Sequence, residues 1–372
     1  MRIVISGVNL NEGGPLRIYS DFLDSLAKSS LDSICLVNDR SLFKKNYPDN
    51  IKFIEISWPK KNWLNRIFFE YIYSYFVCLK LKPQMWVSLH DISPILPRNV
   101  SQFVYCHNPS PFYKPTLVDF KFAKKFFLFS IFYKYIYRFN IKSNTAVIFQ
   151  QKWMSEEFKK NFHIDNVITC RPENHIYELD EKKITKNYLY NRSGKVKFFF
   201  PTLPRTFKNI ELIIESVELD PSIQEISEFI ITIDRSQGKY ANYLIDRASK
   251  FDCFLFTGYL DRDNVESYYN NCDVVIFPSK LETWGLPITE AKLKEKPIIV
   301  SDLPYAYETI GNYDNVVFIP VNEPEHLAKI IRCIFSGSSV FNPIRRDYSS
   351  DILFGWDMLL EKITCMSDFE SR

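Results

Sequence analysis

Glycine, paired cysteines and long apolar runs are scarce in this chain. Only 10 of its 372 residues are glycine, and the absence of a G-x-G-x-x-G argues against a nicotinamide-binding Rossmann domain. The eight cysteines form no C-x-x-C pair and most lie in apolar runs, which is typical of buried thiols in a reducing compartment. No apolar stretch reaches the ~20 residues of a spanning helix. Because the N-terminus also resembles a strand rather than a signal peptide, we expect a cytoplasmic protein.

The residues that are present are typical of a globular chain, with 46% hydrophobic and 24% charged. The length predicts two domains. The net charge of +3 hides an asymmetry, because residues 1–186 carry 27 basic and 17 acidic side chains (+10) and residues 187–372 carry 20 and 27 (−7). A basic first half favours an anionic partner such as a phospholipid surface or a lipid diphosphate. The alternative is charge drift between two solvated surfaces. We expect no nucleic-acid partner.

Strand-like apolar runs alternate with helical patterns along the whole chain. Thirteen such runs, from Arg2–Ser6 to Val316–Ile319, are separated mostly by helical segments. This alternation predicts βαβ units and two doubly wound parallel sheets, with ligands at the carboxyl ends of the strands. We place the first domain at residues 1–172 plus a C-terminal helix at about 351–372. The linker is predicted at 173–195 and the second domain at 196–350.

The most informative segment is Asp273–Ala291, DVVIFPSKLETWGLPITEA. A buried strand is predicted to end at Pro278-Ser279, and a helix is predicted to begin near Pro287. Glu282 and Glu290 can then both face a ligand at the helix N-terminus. Backbone amides around Thr283–Leu286 favour a diphosphate there, and Gly285 permits close approach of the backbone. The alternative is an ordinary solvated helix start with acidic residues near the dipole.

This order of strand, Pro-Ser, Glu, Gly-Leu-Pro and Glu-Ala resembles the E-x7-E signature of the family-4 retaining glycosyltransferases. The resemblance implies the GT-B fold, in which two doubly wound Rossmann-like domains face each other across a cleft. It also implies that Glu290 holds the donor ribose and that Glu282 contacts the transferred sugar. By the same resemblance, the other donor-binding residues of this loop are Thr283, Trp284, Gly285 and Leu286.

Three further segments resemble the family in the same order along the chain. Arg205 and Lys208, in FPTLPRTFKN, match the segment that grips the donor diphosphate, where fixed cations stabilise the charge of the leaving group. Elsewhere such a pair would be an ordinary solvated one. Gly13 and Gly14 match a turn near the donor phosphates. The turn near the nucleobase is matched by Gly258 and Tyr259.

Two of the five histidines end predicted strands in the first half. His107, in VYCHNPSPF, resembles the family histidine that lies over the transferred sugar. His90, Asp91 and Asn108 are predicted on the acceptor side. For either histidine, the alternative is a structural residue whose hydrogen bonds are satisfied within the fold.

One D-x-D sequence, Asp261-Arg-Asp263, is present between a strand and a helix. We interpret Asp263 as a helix N-cap. No metal site and no cofactor are therefore assigned.

Two aromatic segments of the first half bear on membrane contact. Val118–Asn140 mixes Phe, Tyr and Ile with five basic residues. It is interpreted either as a helix packed on the first sheet with its basic residues in solvent, which we slightly favour, or as an interfacial helix on anionic lipid. Arg66–Leu81 is interpreted as core.

The resemblance is closest to enzymes of bacterial O-antigen and lipopolysaccharide assembly. We therefore expect retaining transfer of a hexose from a UDP- or GDP-linked donor to a lipid-diphosphate-linked oligosaccharide. The reaction would need no metal and would take place in the cytoplasm or on the cytoplasmic face of the inner membrane. The alternatives are a sugar-nucleotide epimerase of the same fold and a non-catalytic scaffold of a glycan-assembly complex.

Overall fold

The computed structural model describes residues 1–171, 194–338, 340–342, 344, 346, 348 and 351–370. The chain forms two compact units. The first consists of Met1–Pro111, Phe132–Glu173 and Ser349–Arg372, and the second of Phe112–Ile131 and Asn174–Tyr348. The predicted linker, 173–195, lies outside the described residues except for Gly194 and Lys195.

The first unit is built on an eight-stranded sheet with the order β14-β7-β6-β5-β4-β1-β2-β3, in which every neighbouring pair is parallel. The strands are β1 (Arg2–Ser6), β2 (Asp32–Val37), β3 (Ile51–Glu55), β4 (Met85–Ser88), β5 (Ser101–Cys106), β6 (Ala146–Phe149), β7 (Val167–Arg171) and β14 (Ile352–Phe354). Its helices are α1 (Gly13–Lys28), α2 (Trp63–Phe68), α3 (Ser74–Leu81), α6 (Lys152–Phe162) and α14 (Trp356–Glu370), with a π-helical turn at Phe69–Tyr73 that joins α2 to α3.

The second unit is built on a six-stranded sheet with the order β10-β9-β8-β11-β12-β13, again parallel throughout. The strands are β8 (Val196–Phe200), β9 (Ser227–Ile231), β10 (Phe254–Phe256), β11 (Val274–Phe277), β12 (Ile298–Ser301) and β13 (Val316–Ile319). The helices are α7 (Ile210–Leu219), α8 (Ile223–Ile226), α9 (Lys239–Ala248), α10 (Arg262–Asn271), α11 (Leu286–Leu293), α12 (Pro304–Ile310) and α13 (Pro324–Phe335). Two more, α4 (Leu117–Phe122) and α5 (Lys124–Arg138), begin in the segment that groups with this unit.

Both sheets are doubly wound, as predicted. In each, the chain fills one side of the sheet, returns past its first strand and continues on the other side. All thirteen predicted strands are present within two residues at either end. The fourteenth, Ile352–Phe354, was not predicted, because three residues are too few to show a period.

Residues of the strands alternate between two apolar layers of the first unit. Ile3 and Ile5 of β1 pack with α1 and α14, whereas Val4 packs with Trp86 and with Phe69 of the π-helical turn. Buried on both faces, such a sheet needs the near-continuous apolar strands that the sequence contains. The sheet is therefore a rigid support for the loops at its carboxyl edge.

The interpretation of Arg66–Leu81 as core is wrong for half of the helix. One face, with Phe69, Glu70 and Cys78, is buried, but the opposite face is exposed, including Phe76 at 62% and Ile72 at 47%. The run has apolar side chains all round, and a helix can pack only one face against a sheet. The other face therefore stays uncovered within this unit.

The segment Val118–Asn140 forms two helices rather than one, with a break at Ala123 between α4 and α5. Tyr133 and Tyr137 of α5 are buried, while Phe132 and Tyr135 are more than half exposed. The solvent face therefore carries aromatic side chains as well as the basic residues that were expected there.

Candidate active site

In the second sheet the topological switch point lies between β8 and β11. In doubly wound sheets, ligands bind at the carboxyl ends of the two strands that flank such a point. Here the loop after β8 carries Arg205 and Lys208, and the loop after β11 carries Glu282. The fold therefore brings together two motifs that are more than 70 residues apart in the chain.

Lys208 and Glu282 form a direct ion pair between the Nζ and Oε1 atoms. Their side chains are 16% and 14% exposed, so both are largely enclosed but still reach solvent. The ammonium also lies 5.0 Å from the centre of the Phe277 ring, over the end of β11. At this edge of the sheet, the Lys208 ammonium can thus leave Glu282 for a phosphate group of a ligand. The Glu282 carboxylate can then bind the ligand's hydroxyl groups.

The two loops are held together by Asn209 and by the backbone. The buried Asn209 donates from Nδ2 to the carbonyl oxygens of Pro278 (3.2 Å) and Val321 (2.9 Å). The Lys280 amide donates to the Phe207 carbonyl at 2.7 Å. Asn209 has a φ of 59°, a left-handed conformation that asparagine tolerates better than most residues. This scaffold fixes the backbone on which Lys208 and Glu282 are mounted.

Helix α11 begins at Leu286, directly after Gly285. Gly285 has a φ of 81°, and a Cβ there would lie 3.1 Å from Ile288 Cδ1 and 3.2 Å from Phe277 Cε1. Only glycine adopts this turn without strain. No side chain caps the helix from this position, so its N-terminus keeps the partial positive charge that favours a phosphate.

Glu290 lies one turn into α11, and its carboxylate is oriented by Tyr269. The Tyr269 hydroxyl donates to Glu290 Oε2 at 2.9 Å and lies 3.3 Å from the Pro287 carbonyl. Burial, followed by the nearby Glu290, raises the pKa of Tyr269 well above its usual value, so the hydroxyl remains a donor. One carboxylate oxygen is thereby fixed, which leaves the other for a ligand.

The remaining predicted donor residues lie around the same edge of the sheet. The Trp284 indole is buried and donates to Thr289 Oγ1 at 2.9 Å, and Thr283 is half-buried in the same loop. At the end of β10, Gly258 has a φ of 72°, and a Cβ there would meet Asp234 Oδ2 at 2.6 Å. The adjacent Tyr259 is 80% exposed. The donor-binding roles of these residues stay predictions.

In the first unit, Gly13 and Gly14 form the start of α1, after the loop that follows β1. Gly13 has a φ of 61°, and no heavy atom lies within 4 Å of a Cβ built on either glycine. Glu12, at the N-cap, makes no side-chain capping hydrogen bond. The helix N-terminus is thus open, as a phosphate-facing turn requires.

The predicted acceptor residues converge at the adjoining ends of β4 and β5. Asp91 Oδ1 accepts from the backbone amides of His107 (2.8 Å) and Asn108 (3.2 Å). The His107 Nδ1 atom lies 3.6 Å from the same oxygen. Asp91 itself has a φ of 71°, which is a strained conformation for this residue type. The carboxylate therefore ties the two strand ends together and lies beside the His107 ring, whose side chain is 18% exposed.

His90, in contrast, is enclosed in a polar network beneath this edge. Its Nε2 atom lies 3.0 Å from Ser6 Oγ. Its Nδ1 atom lies 2.5 Å from Arg66 Nη2 and 3.4 Å from Glu70 Oε1. Burial, and then the Arg66 charge, lower the pKa of His90 well below its usual value, so the ring is neutral. Its placement on the acceptor side stays a prediction.

The helix cap in the D-x-D sequence is Asp261 and not Asp263. Asp261 Oδ1 accepts from the Asn264 amide at 2.8 Å, while Asp263 lies in the first turn of α10. A helix N-cap residue needs an extended backbone. Asp261 has this conformation, whereas a residue inside the first turn, such as Asp263, does not. Among the described residues, no three His, Cys, Asp or Glu side chains cluster as metal ligands would.

Three residues of these sites were not predicted. Arg66 and Glu70 form a buried pair with Nε 3.0 Å from Oε1, and Tyr269 orients Glu290. A sequence signal for the pair was available, because Glu70 follows Arg66 by four residues within an aromatic run. A charge buried in such a run needs a partner of opposite charge. For Tyr269 no sequence signal distinguishes it from the neighbouring Tyr268.

Comparison with known proteins identifies the second half of the chain. Residues 180–349 match the family model described as Glycosyl transferases group 1. Arg205, Lys208, Glu282 and Glu290 all lie inside this span. The match to a group 1 glycosyltransferase domain covers 170 of the 372 residues, and the predicted resemblance to glycosyltransferases is confirmed.

Individual relatives agree with this assignment. The O-antigen chain mannosyltransferase RfbU of Salmonella typhimurium is 23% identical over 253 residues, which cover 65% of this chain and 64% of RfbU. The match thus spans less than two thirds of that relative.

Solved structures extend the likeness to the whole chain. A glycosyltransferase from Rickettsia africae has a TM-score of 0.60 at 17% identity and covers 99% of this chain and 93% of its own. The Anabaena protein HepE in complex with UDP-glucose has a TM-score of 0.55 at 13% identity and covers 100% and 98%. The predicted fold class, GT-B with two Rossmann-like domains, is confirmed.

Proposed function

We propose that this chain, which matches a group 1 glycosyltransferase domain, is a retaining glycosyltransferase that moves a hexose from a UDP- or GDP-linked donor to a lipid-diphosphate-linked glycan. We assign the reaction to O-antigen or lipopolysaccharide assembly. The observation that carries the proposal is the Lys208–Glu282 pair at the switch point of the second sheet, beside the open start of α11. The names of RfbU, an O-antigen mannosyltransferase, and of the HepE complex with UDP-glucose support it.

The charges at this edge suit the departure of a nucleoside diphosphate. As the bond between the sugar C1 and the β-phosphate oxygen breaks, negative charge develops on the diphosphate. Lys208, the exposed Arg205 and the start of α11 supply positive charge for it. Because these groups belong to the protein, we propose a reaction without a metal ion or cofactor.

Glu282 takes up a second role when the diphosphate binds. The phosphate competes for the Lys208 ammonium, and the released carboxylate accepts hydrogen bonds from hydroxyls of the transferred sugar. Glu290, already oriented by Tyr269, binds the ribose diol with its remaining oxygen. Each carboxylate thus meets one of the two sugars of the donor.

We assign the acceptor to the first unit, where Asp91 holds the backbone amides of His107 and Asn108 at the ends of β4 and β5. In the proposed front-face mechanism, the acceptor hydroxyl attacks C1 on the side that the diphosphate leaves. The departing diphosphate oxygen accepts the hydroxyl proton, so no protein base is needed. Attack on the face that the diphosphate leaves retains the configuration at C1 without a protein nucleophile. The acceptor lipid places the reaction at the cytoplasmic face of the membrane.

The test is a screen of the purified chain against UDP-, GDP- and dTDP-sugars, with and without chelator. We expect one nucleotide to raise the melting temperature selectively, and we expect Lys208→Ala and Glu290→Ala to abolish the shift. The exposed Lys239 and Glu323 provide matched controls as Lys239→Ala and Glu323→Ala. The proposal is wrong if no nucleotide sugar binds, or if binding requires a metal that the chelator removes.

A donor that binds must then be shown to transfer. With a lipid-diphosphate glycan present, we expect the α- or β-configuration of the donor sugar to appear unchanged in the product by NMR. Turnover of the donor into its epimer without acceptor would instead identify an epimerase. Inversion at C1 would exclude the retaining mechanism while leaving the donor site intact.

A further inference from the structure

The exposed apolar side chains of this protein are concentrated on two segments of helix. Among the described residues, 25 large apolar side chains are exposed; eight lie between Trp63 and Leu79 and six between Leu117 and Phe139. These 14 of 25 occupy 40 residues of a 372-residue chain. Such a concentration marks an interaction surface rather than scattered exposure.

Within the first unit, this surface is formed by the outer faces of two helices. From α2 to α3 it consists of Trp63, Leu64, Phe68, Ile72, Tyr73, Tyr75, Phe76 and Leu79. From α5 and the residue that follows it, it consists of Phe132, Tyr135 and Phe139. We call these side chains the aromatic surface. The spacing along α5 is three and four residues, so its members share one face, opposite the buried Tyr133 and Tyr137.

The two helices are in direct contact, so their outer faces belong to one surface. The rings of Tyr71 and Phe139 are 4.6 Å apart, those of Trp63 and Tyr133 are 6.0 Å apart, and the Tyr71 hydroxyl donates to the Ile136 carbonyl.

The charge around the aromatic surface has one sign. Residues 57–82 and 132–142 contain a single acidic residue, Glu70, which is fully buried against Arg66. Seven basic side chains in the same ranges are exposed: Lys60, Lys61, Lys80, Lys82, Lys134, Arg138 and Lys142. A symmetric contact with a second copy would bring these like charges together, which disfavours self-association.

We infer that the aromatic surface docks onto an anionic lipid bilayer. Trp, Tyr and Phe side chains enter the interfacial layer, where aromatic rings are favoured, and the surrounding lysines meet the anionic headgroups. No helix in the described part of the chain has the length and apolarity to span a membrane.

Docking in this way brings the candidate acceptor residues close to the lipid. The inner face of the same helix carries Arg66 and Glu70, which contact His90 at the end of β4. The aromatic surface is therefore about one helix diameter, ~10 Å, from this strand end. The inference rests on the proposed function only in that a lipid-linked acceptor would lie in the same bilayer.

Sedimentation of the purified chain with lipid vesicles tests the inference. We expect binding to phosphatidylcholine vesicles containing phosphatidylglycerol, and much weaker binding to phosphatidylcholine alone or at high salt. Leu64→Ser and Phe76→Ser replace the most exposed members, at 79% and 62%, and each should weaken binding about tenfold. The matched controls Leu219→Ser and Met358→Ser, 55% and 50% exposed outside the surface, should leave it unchanged.

The basic residues are tested separately. Lys60→Gln and Lys61→Gln should each weaken binding to anionic vesicles about fivefold and leave binding to neutral vesicles unchanged. Lys239→Gln and Lys329→Gln, also exposed, should have no effect.

Three outcomes would overturn the inference: no vesicle binding, vesicle binding that is insensitive to both sets of variants, or a dimer in solution that Leu64→Ser/Phe76→Ser converts to a monomer. The last would identify a contact between copies instead. The nucleotide-induced shift in melting temperature is measured in parallel for every variant. Vesicle binding and donor binding can then fail independently, which separates this inference from the proposed function.

Discussion

Both sheets carry charged side chains near the carboxyl edge at the switch point, yet the two sets differ in exposure. In the second unit, Lys208 and Glu282 are paired but reach solvent, at 16% and 14% exposed. In the first, Arg66 and Glu70 are 6% and 0% exposed and contact a neutral histidine. One switch point therefore carries a pair that can exchange with a ligand, whereas beneath the other a helix holds an enclosed pair.

The difference lies in what each pair can exchange. A pair open to solvent can trade its partner for a ligand at small desolvation cost, whereas an enclosed pair cannot be separated without leaving a buried charge. We therefore assign ligand chemistry to Lys208 and Glu282 and a supporting role to Arg66 and Glu70. Four experiments test this difference between the two pairs and the loops around them.

The largest effect is expected for Lys208→Ala. Because this variant should also bind the donor poorly, the effect is measured as kcat/KM for the donor, which should fall about 10²–10³-fold when the cation proposed to face the leaving diphosphate is removed. Steady-state transfer to the lipid-linked acceptor measures it, with Lys239→Ala as the control. In Lys208→Ala/Glu282→Gln the carboxylate is no longer left unpaired, so stability should recover while transfer does not. Recovery of both would show that the pair is structural.

Glu70→Gln should change the pH dependence of stability. Burial raises the pKa of Glu70 to about 7 from 4.5, so between these values the folded carboxyl holds a proton that the unfolded one has lost. Unfolding free energy therefore falls as pH rises through this window. The unfolding free energy of the wild type minus that of the variant should fall by about 3 kcal/mol from about pH 4.5 to about pH 8.

Denaturant titrations at a series of pH values measure this difference. His90, whose pKa is lowered, contributes with the opposite sign, because stability is lost as pH falls below its unfolded value. The comparison of the two proteins cancels that contribution as long as the histidine keeps its surroundings. A pH-independent difference would show that Glu70 is ionised in the fold throughout.

Substitution of His90 should mainly lower stability, whereas substitution of His107 should mainly lower the rate of transfer. His90→Ala removes a buried ring with three polar neighbours and should cost about 2 kcal/mol of unfolding free energy. His107→Ala removes a side chain that is 18% exposed and should cost about 1 kcal/mol, but it should lower transfer about tenfold or more. Melting curves and initial rates on both variants check the contrast. If His107→Ala transfers normally, its predicted role over the sugar is wrong.

The smallest effect is expected for Gly285→Ala. A side chain at a φ of 81°, and 3.2 Å from Phe277, should cost about 1–2 kcal/mol of stability and move the loop that carries Glu282. Donor KM should rise several-fold with little change in turnover. Gly194→Ala, also at positive φ but with no heavy atom within 4 Å of its Cβ, separates strain from crowding. Equal donor KM in both variants would remove the loop from the donor site.

Local spacing was sufficient to predict much of this protein. Period-two and continuous apolar runs gave the strands, because parallel strands buried on both faces must be apolar along their length. Gly285 and Pro287 gave the start of α11, because positive φ and a missing amide hydrogen are properties of single residues. The roles of Arg205, Lys208, Glu282 and Glu290 were predicted from the resemblance of their motifs, in order along the chain, to a known family. No spacing showed that Lys208 meets Glu282.

What only the tertiary structure decided is which face of each element is covered and which partner each charge meets. The sequence of Arg66–Leu81 has apolar side chains on all sides, and only contact with the first sheet selects Phe69 for the core and leaves Phe76 exposed. Glu70 is acidic in any context, but its burial beside Arg66 raises its pKa to about 7. The composition and apolar period of a segment are properties of that segment alone. The burial of a side chain and the partner of a charge depend on residues distant in the chain, which come into contact only when the sheets form.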